Sequence, residues 1–480
     1  MKTYIFHFYR AIATLVLLIL ALFPGRAGNE KIDKAKLDKR INDLVEKYNI
    51  PDAELAVIRN DSVIYKFTKN PTNADRNYLI GSCSKSFTAL SVMHLAEKGK
   101  IDIDKPVRAY LPWFALKDTI NIDRIKVRHL LNQTSGIGSQ YGFFDYPVND
   151  FSIYKIKLIE HLSHIVLINQ PGTGFCYSNL NYLLLGLIVE AVAKEKYTDF
   201  LSDYVFPEIG MKKSYAGFND DLLRRTIQPY QYLIFNIPFK SKIFPHSDYA
   251  AGYGYISSNT MDLCNYLKFM IHKGVTTNGD TLFSSVGYNN LVTPVKGNYA
   301  MGWMKMNYNK KDMVIHTGLD ENYSAILSIC PEDGLGIVAL CNVNSLQFCS
   351  LAQTSVMDMM GGRPFLNHLS FELIIRWLIG LFAILAISLS VLNLFRWKKY
   401  CRKIGFIFKP LPLLRLICGI GLSSAGIILV QKYYTISIFS VFNFQPDIVL
   451  GFTLILVFGI MSSFTRYLGT YSKSKLILSS

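Results

Sequence analysis

Apolar and polar positions in the 480-residue chain fall into three patterns, each predicting a different element. Residues 31–48 read as a polar helix, and residues 54–58 and 62–67, flanking Asn60-Asp61, alternate as the strands of a hairpin. Residues 82–98 carry helical periodicity that stops at Gly99, and residues 181–193 form a strongly apolar helix. Residues 323–329 and 335–340, joined by Pro331-Glu332-Asp333-Gly334, predict a second hairpin. Strands at both ends with helices between them predict an α+β domain, an antiparallel sheet flanked by helices and closed by distant sequence.

A third pattern closes the chain: apolar runs at about 373–395, 411–430 and 448–464, with Arg376 and Arg415 only near their ends, each long enough to cross a bilayer. The first connector holds Arg396, Lys398, Lys399, Arg402, Lys403, Lys409 and Arg415, whereas the second holds Lys432 and Asp447. The positive-inside bias places the first connector and the C-terminus in the cytoplasm and the preceding domain outside. At the N-terminus, Lys2 and Arg10, an apolar run from 11 to 23 and Gly25-Arg26-Ala27 form a secretory signal pattern; an uncleaved anchor is the alternative. The expected organisation is 1–27 signal or anchor, 28–368 extracytoplasmic domain, and 369–480 membrane domain of three transmembrane helices.

Charge agrees with that division. Of the formal net charge of +16, residues 371–480 contribute twelve basic against two acidic residues, and residues 1–27 three against none. The basic excess sits beside apolar runs, so it reads as membrane topology and excludes a nucleic-acid surface. The lipid bilayer is an expected partner. Eight cysteines, at 83, 176, 264, 330, 341, 349, 401 and 418, have no metal-ligand or disulfide-framework spacing. Cys330 and Cys341 flank the second hairpin without an evident opposition, and Cys83 and Cys176 read as small buried hydrophobes.

Ser82 and Lys85 lie three apart at a helix start, so the amine reaches the hydroxyl. A serine attacks a carbonyl only when a neighbour takes its proton, and burial near a helix N-terminus depresses an amine pKa enough for that. Tyr177-Ser178-Asn179 and His316-Thr317-Gly318 follow in order. Each piece alone is weak, since Ser152 and Lys155, Ser472 and Lys475, Tyr288 and Asn290, and His272-Lys273-Gly274 repeat the spacings. Order, flanks and exported placement carry the signal.

Residues 78–89, Tyr-Leu-Ile-Gly-Ser-Cys-Ser-Lys-Ser-Phe-Thr-Ala, resemble the active-site helix of the serine β-lactamase family, in its class C and DD-peptidase branch. Residues 129–136, with Gln133 where His is common, residues 171–179 and Met301-Gly302-Trp303 extend the resemblance over about 34–348. It implies a β-lactamase/transpeptidase-like fold with an all-α subdomain. It also implies Ser82 as acylated nucleophile, Lys85 as its activator and Tyr177 as proton shuttle, with Lys85 and His316 partly stabilising a phenolate. Asn179 would position Lys85 and the substrate amide, and Leu319 would offer a second oxyanion N–H along an edge kept clear by Gly318, with His316 and Thr317 also facing substrate. No metal or organic cofactor is implied.

His316 departs from the lysine usual in penicillin-hydrolysing and D-Ala-D-Ala-cleaving relatives. A weaker, pH-dependent charge there makes efficient β-lactam hydrolysis an unfavoured expectation. The expected substrates are small peptides, amides or esters of the cell envelope. A sensor or binding domain coupled to the membrane helices is the alternative. The aromatic run 228–255 reads equally as a cleft wall, a packed loop or a membrane-facing surface.

Overall fold

The computed structural model describes residues 32–401 apart from 74, 143, 145, 277, 309, 362 and 366–369, together with a few positions between 450 and 461. The Asp33 side chain caps helix α1 (Lys34–Lys47) by accepting the Lys36 N–H at 3.0 Å, and Leu37, Ile41, Leu44 and Val45 form its buried stripe. Strands β1 (Ala53–Arg59) and β2 (Ser62–Thr68) pair antiparallel up to Arg59 opposite Ser62. Asn60 and Asp61 are thus the two-residue loop, and Asn60 takes the left-handed conformation such turns need, at φ 49°.

Between residues 69 and 303 the described chain is mainly helical. Helix α2 (Ser84–Glu97) is buried almost all round, and α3 (Asn179–Ala193) starts two residues earlier than its apolar pattern suggests. A small hairpin, β3 (Tyr230–Leu233) and β4 (Ile237–Lys240), stands outside the main sheet, and α4 (Thr260–Ile271) follows, capped by Asn259. Strands β5 (Met304–Tyr308), β6 (Lys311–Leu319), β7 (Ser324–Cys330) and β8 (Leu335–Cys341) then complete an antiparallel sheet of order β2-β1-β8-β7-β6-β5. Helices α5 (Leu346–Met360) and α6 (Phe371–Cys401) close the described chain.

Alternation divides the sheet between two apolar layers. Leu55 and Val57 join α1 and α5 on one face, while Ala56 and Ile58 join α2 and α4 on the other. The second hairpin sets Cys330 opposite Leu335 and Cys341 opposite Ser324, so the two cysteines lie at its opposite ends. Cys83, Cys176, Cys264, Cys330, Cys341 and Cys349 are free thiols, and Cys341 faces Cys349 across 3.7 Å.

Residues Leu373–Leu392 of α6 form the one helix among the described residues that is long and apolar enough to cross a membrane. The expected runs at 411–430 and, for the most part, 448–464 lie outside the described residues, as does 1–27. The outward positions of α6 are apolar: Trp377, Leu378, Leu381, Phe382, Ile384 and Leu385 are all exposed. Its opposite stripe, Arg376, Ile379 and Ala383, is buried, and the Ser390 hydroxyl donates to the Phe458 carbonyl.

Candidate active site

A single 3-10 turn, Gly81–Cys83, runs into α2 and presents Ser82. Gly81, at φ 50°, makes that turn possible, and Ser82 stays partly exposed between buried neighbours. One helical turn on, the fully buried Lys85 amine hydrogen bonds to Ser82 Oγ at 2.9 Å and donates to the Tyr253 carbonyl at 2.7 Å. Rings of Tyr177, Tyr253 and Tyr182 surround it, at 5.0, 5.8 and 5.9 Å from the nitrogen. Burial holds the Lys85 pKa well below that of a free amine. The result is an amine eased toward its neutral form and set on a serine hydroxyl.

Tyr177 precedes α3 on a loop pinned by Gln133. The Gln133 Oε1 accepts the Ser178 N–H at 3.0 Å and the Asn181 side-chain amide at 2.5 Å, and its own backbone carbonyl accepts the Cys176 N–H at 2.9 Å. Burial, followed by the neighbouring Tyr299, pushes the Tyr177 phenol well above its ordinary pKa, while a hydrogen bond with Ser82 acts the other way. Tyr177 is therefore a protonated phenol beside the serine. Asn179 does not hold Lys85 as expected: the lysine bonds go to Ser82 and Tyr253, and Asn179 Oδ1 is buried without a partner.

Strand β6 brings the third motif to the serine. His316 is buried, with Nδ1 2.8 Å from the Thr317 carbonyl and Nε2 3.4 Å from the Tyr299 hydroxyl. Burial first, and the nearby Lys85 second, lower its pKa to about 3. The expected weak, pH-dependent charge is therefore absent near pH 7, and His316 offers none to stabilise a phenolate. Cys83 donates its thiol to the His316 carbonyl at 3.3 Å, and burial pushes that thiol up, as suits a packing residue.

Two glycines make the close approach. A Cβ on Gly318 would fall 1.9 Å from the Ile80 carbonyl oxygen, so this glycine lets β6 pack against the nucleophile turn rather than clearing an edge for substrate. A Cβ on Gly81 would fall 2.6 Å from the Leu319 nitrogen, so Gly81 is the residue that keeps the expected oxyanion donor open. Thr317 remains partly exposed and contributes its carbonyl to His316. Past Leu319, the buried Asp320 and Glu321 side chains are adjacent, and the Tyr255 hydroxyl donates to Glu321 Oε1 at 3.2 Å. Burial raises both carboxyl pKa values, with Glu321 adding to the rise at Asp320. The neighbouring His246, stacked on Tyr255 at 3.9 Å, is lowered to about 4 by burial.

Motif reading found Ser82, Lys85, Tyr177 and the β6 residues, and the fold brings them together. It missed Tyr253, Gln133 and Gly81. Gln133 carried a signal, because it stood where a histidine was expected, but Tyr253 acts through a backbone carbonyl that sequence type does not mark.

A sheet of this order, with a serine turn and buried lysine at its helix, defines the β-lactamase-like class of serine hydrolase folds. The chain belongs to the Beta-lactamase family, whose profile matches residues 37–352. Among curated relatives it is 27% identical over 329 residues to protein flp of Staphylococcus aureus (strain MW2), covering 65% of this chain and 63% of that one. The chain thus spans less than two thirds of that relative's length. Among solved structures it resembles an octameric penicillin-binding protein homologue from Pyrococcus abyssi, with TM-score 0.60, 23% identity and coverage of 71% and 80% of the two chains. A β-lactamase/D-alanine carboxypeptidase from Pseudomonas syringae gives TM-score 0.56, 17% identity and coverage of 69% and 100%.

Proposed function

We propose that the protein is a membrane-tethered, extracytoplasmic serine hydrolase that forms an acyl-enzyme at Ser82 on peptide, amide or ester substrates of the cell envelope. The observation that carries this reading is the buried Lys85 amine, its pKa depressed by burial, 2.9 Å from Ser82 Oγ. Lys85 takes the Ser82 proton as Oγ attacks the acyl carbon, and the Ser82 and Leu319 N–H groups hold the resulting oxyanion. Tyr177, a phenol held protonated, donates to the leaving amine or alcohol, and Lys85 resupplies that proton. Water then attacks the ester, releasing acid and free Ser82. In this reading residues 28–368 form the extracytoplasmic catalytic domain and 369–480 the membrane domain, with the C-terminus cytoplasmic.

Neutral His316 supplies no cation for a substrate carboxylate, which favours esters and neutral amides over β-lactams. Labelling of the full-length protein with a fluorescent phosphonate tests the mechanism, and Ser82→Ala is expected to abolish the label. Label that survives Ser82→Ala would refute the assignment of the nucleophile. Ester turnover is expected to exceed nitrocefin turnover, and efficient nitrocefin hydrolysis would overturn that order.

A further inference from the structure

The small hairpin β3-β4 leaves the catalytic domain and meets α6. Its tip, Ile234-Phe235-Asn236, places the Phe235 ring 5.1 Å from that of Trp377, and Arg376 lies 4.7 Å over Tyr232. One turn further along α6, Gly380 is the notch that receives the tip. A Cβ there would fall 2.5 Å from Ile234 Cγ2 and 2.5 Å from Phe235 Cε1. The cross-strand pair beside the tip, Leu233 and Ile237, is apolar yet 39% and 53% exposed.

Sequence fixes the depth of this contact. Arg396 is the first basic residue after the apolar run, and 19 residues separate it from Trp377. At about 1.5 Å per residue that is roughly 29 Å, close to the hydrocarbon thickness of a bilayer. With Arg396 at one headgroup layer, Trp377 falls at the other interface, where tryptophan is favoured. The hairpin tip, packed on Trp377, falls there too. Three residues back along β4, Lys240 is exposed opposite Tyr230, roughly 10 Å from Ile237, where it reaches lipid phosphates.

We infer that the β3-β4 tip is a second membrane contact, with Leu233 and Ile237 seated in the interfacial layer of the leaflet facing the catalytic domain. The inference rests on α6 being a membrane span. The hairpin is held firmly enough to orient the domain: the Asn236 side-chain amide donates to the Tyr48 carbonyl at 2.7 Å, and the Tyr232 hydroxyl donates to the same oxygen at 2.6 Å. Just beyond β4, the Lys242 carbonyl accepts the Asn322 side-chain amide at 2.8 Å, three residues past Leu319. Hairpin and helix together fix the site above the lipid surface, where a single helix would leave the domain free to swing.

Full-length protein with a nitrobenzoxadiazole label on Ile237→Cys, Leu385→Cys or Ile120→Cys, placed in phosphatidylethanolamine and phosphatidylglycerol vesicles, tests this with spin-labelled lipids. A quencher at the shallow acyl position is expected to reduce Ile237→Cys emission to about half and to leave Ile120→Cys unchanged, while a deep quencher acts on Leu385→Cys. Quenching at position 385 without quenching at 237, or equal quenching at 237 and 120, overturns the hairpin contact alone. No quenching at 385 overturns the membrane span and the hairpin contact with it.

Discussion

The two flanks of the oxyanion strand both bury ionisable groups, and burial does different work at each. On the nucleophile flank it holds the Lys85 pKa down and places that amine on Ser82. On the outer flank it raises Asp320 and Glu321, the latter bonded to the Tyr255 on which a neutral His246 stacks, and among the described residues no Lys or Arg bonds to either carboxyl. His316, between the two, is neutral as well. In the proposed reading the first flank moves a proton, whereas the second offers no cation to a substrate. On that reading the reaction class and the substrate preference reside in different residues and can be broken separately.

The largest expected effect lies on the nucleophile flank. Lys85→Met removes the proton acceptor while keeping the volume of the stem, and acylation by a phosphonate or ester is expected to slow about a hundred- to ten-thousand-fold. A loss below ten-fold, in stopped-flow or gel-based labelling, would move the base elsewhere. Gly81→Ala attacks the junction between the flanks. Its new methyl meets Leu319 N at a position with φ 50°, so the strand must retreat. With the second oxyanion donor displaced, the acylation rate is expected to fall about a hundred-fold. An unchanged rate in a folded Gly81→Ala protein would show that Leu319 does not serve as the donor.

The flanks also differ in how far sequence alone describes them. Ser82 and Lys85 were legible because the chemistry needs those residue types at a fixed helical spacing, and both hairpins because alternation and turn residues are local signals. His316 was legible as a position with a weak, pH-dependent charge, but not as a group buried out of titration near neutral pH, since that depends on distant segments such as the one that brings Tyr299 against it. The aromatic run 228–255 could not be divided in advance, because its members serve different ends. Phe235 packs on Trp377, Tyr253 supplies a carbonyl to Lys85, and Tyr255 bonds to Glu321. Only the tertiary fold assigns them.

The state of His316 has a consequence for stability. Its folded pKa of about 3 lies below the ordinary value of about 6.5, so its contribution is complete above pH 6.5 and is lost as pH falls from there toward 3. At pH 5 the loss is about 2 kcal/mol. The melting temperature is expected to fall between pH 7 and pH 5, and less so in His316→Gln, which has no proton to take up. Equal falls in the two proteins would mean that folding leaves the His316 pKa at its ordinary value, and the contrast between the flanks would then be one of degree.

The smallest effect tests the outer flank by itself. Glu321 touches none of the proton-transfer groups, and its hydrogen bond from Tyr255 can be kept by an amide oxygen. Glu321→Gln should therefore leave turnover of a neutral ester within about two-fold, while removing whatever negative charge the raised pKa still allows near neutral pH. A carboxylate-bearing substrate meets less repulsion in the variant, so its kcat/KM is expected to rise a few-fold through KM, about 1 kcal/mol or less. The gain should be larger at pH 8 than at pH 6, because the wild-type carboxyl ionises as pH rises. A gain equal for neutral and anionic substrates, or one without pH dependence, would mean that Glu321 shapes the strand and has no part in screening substrate charge.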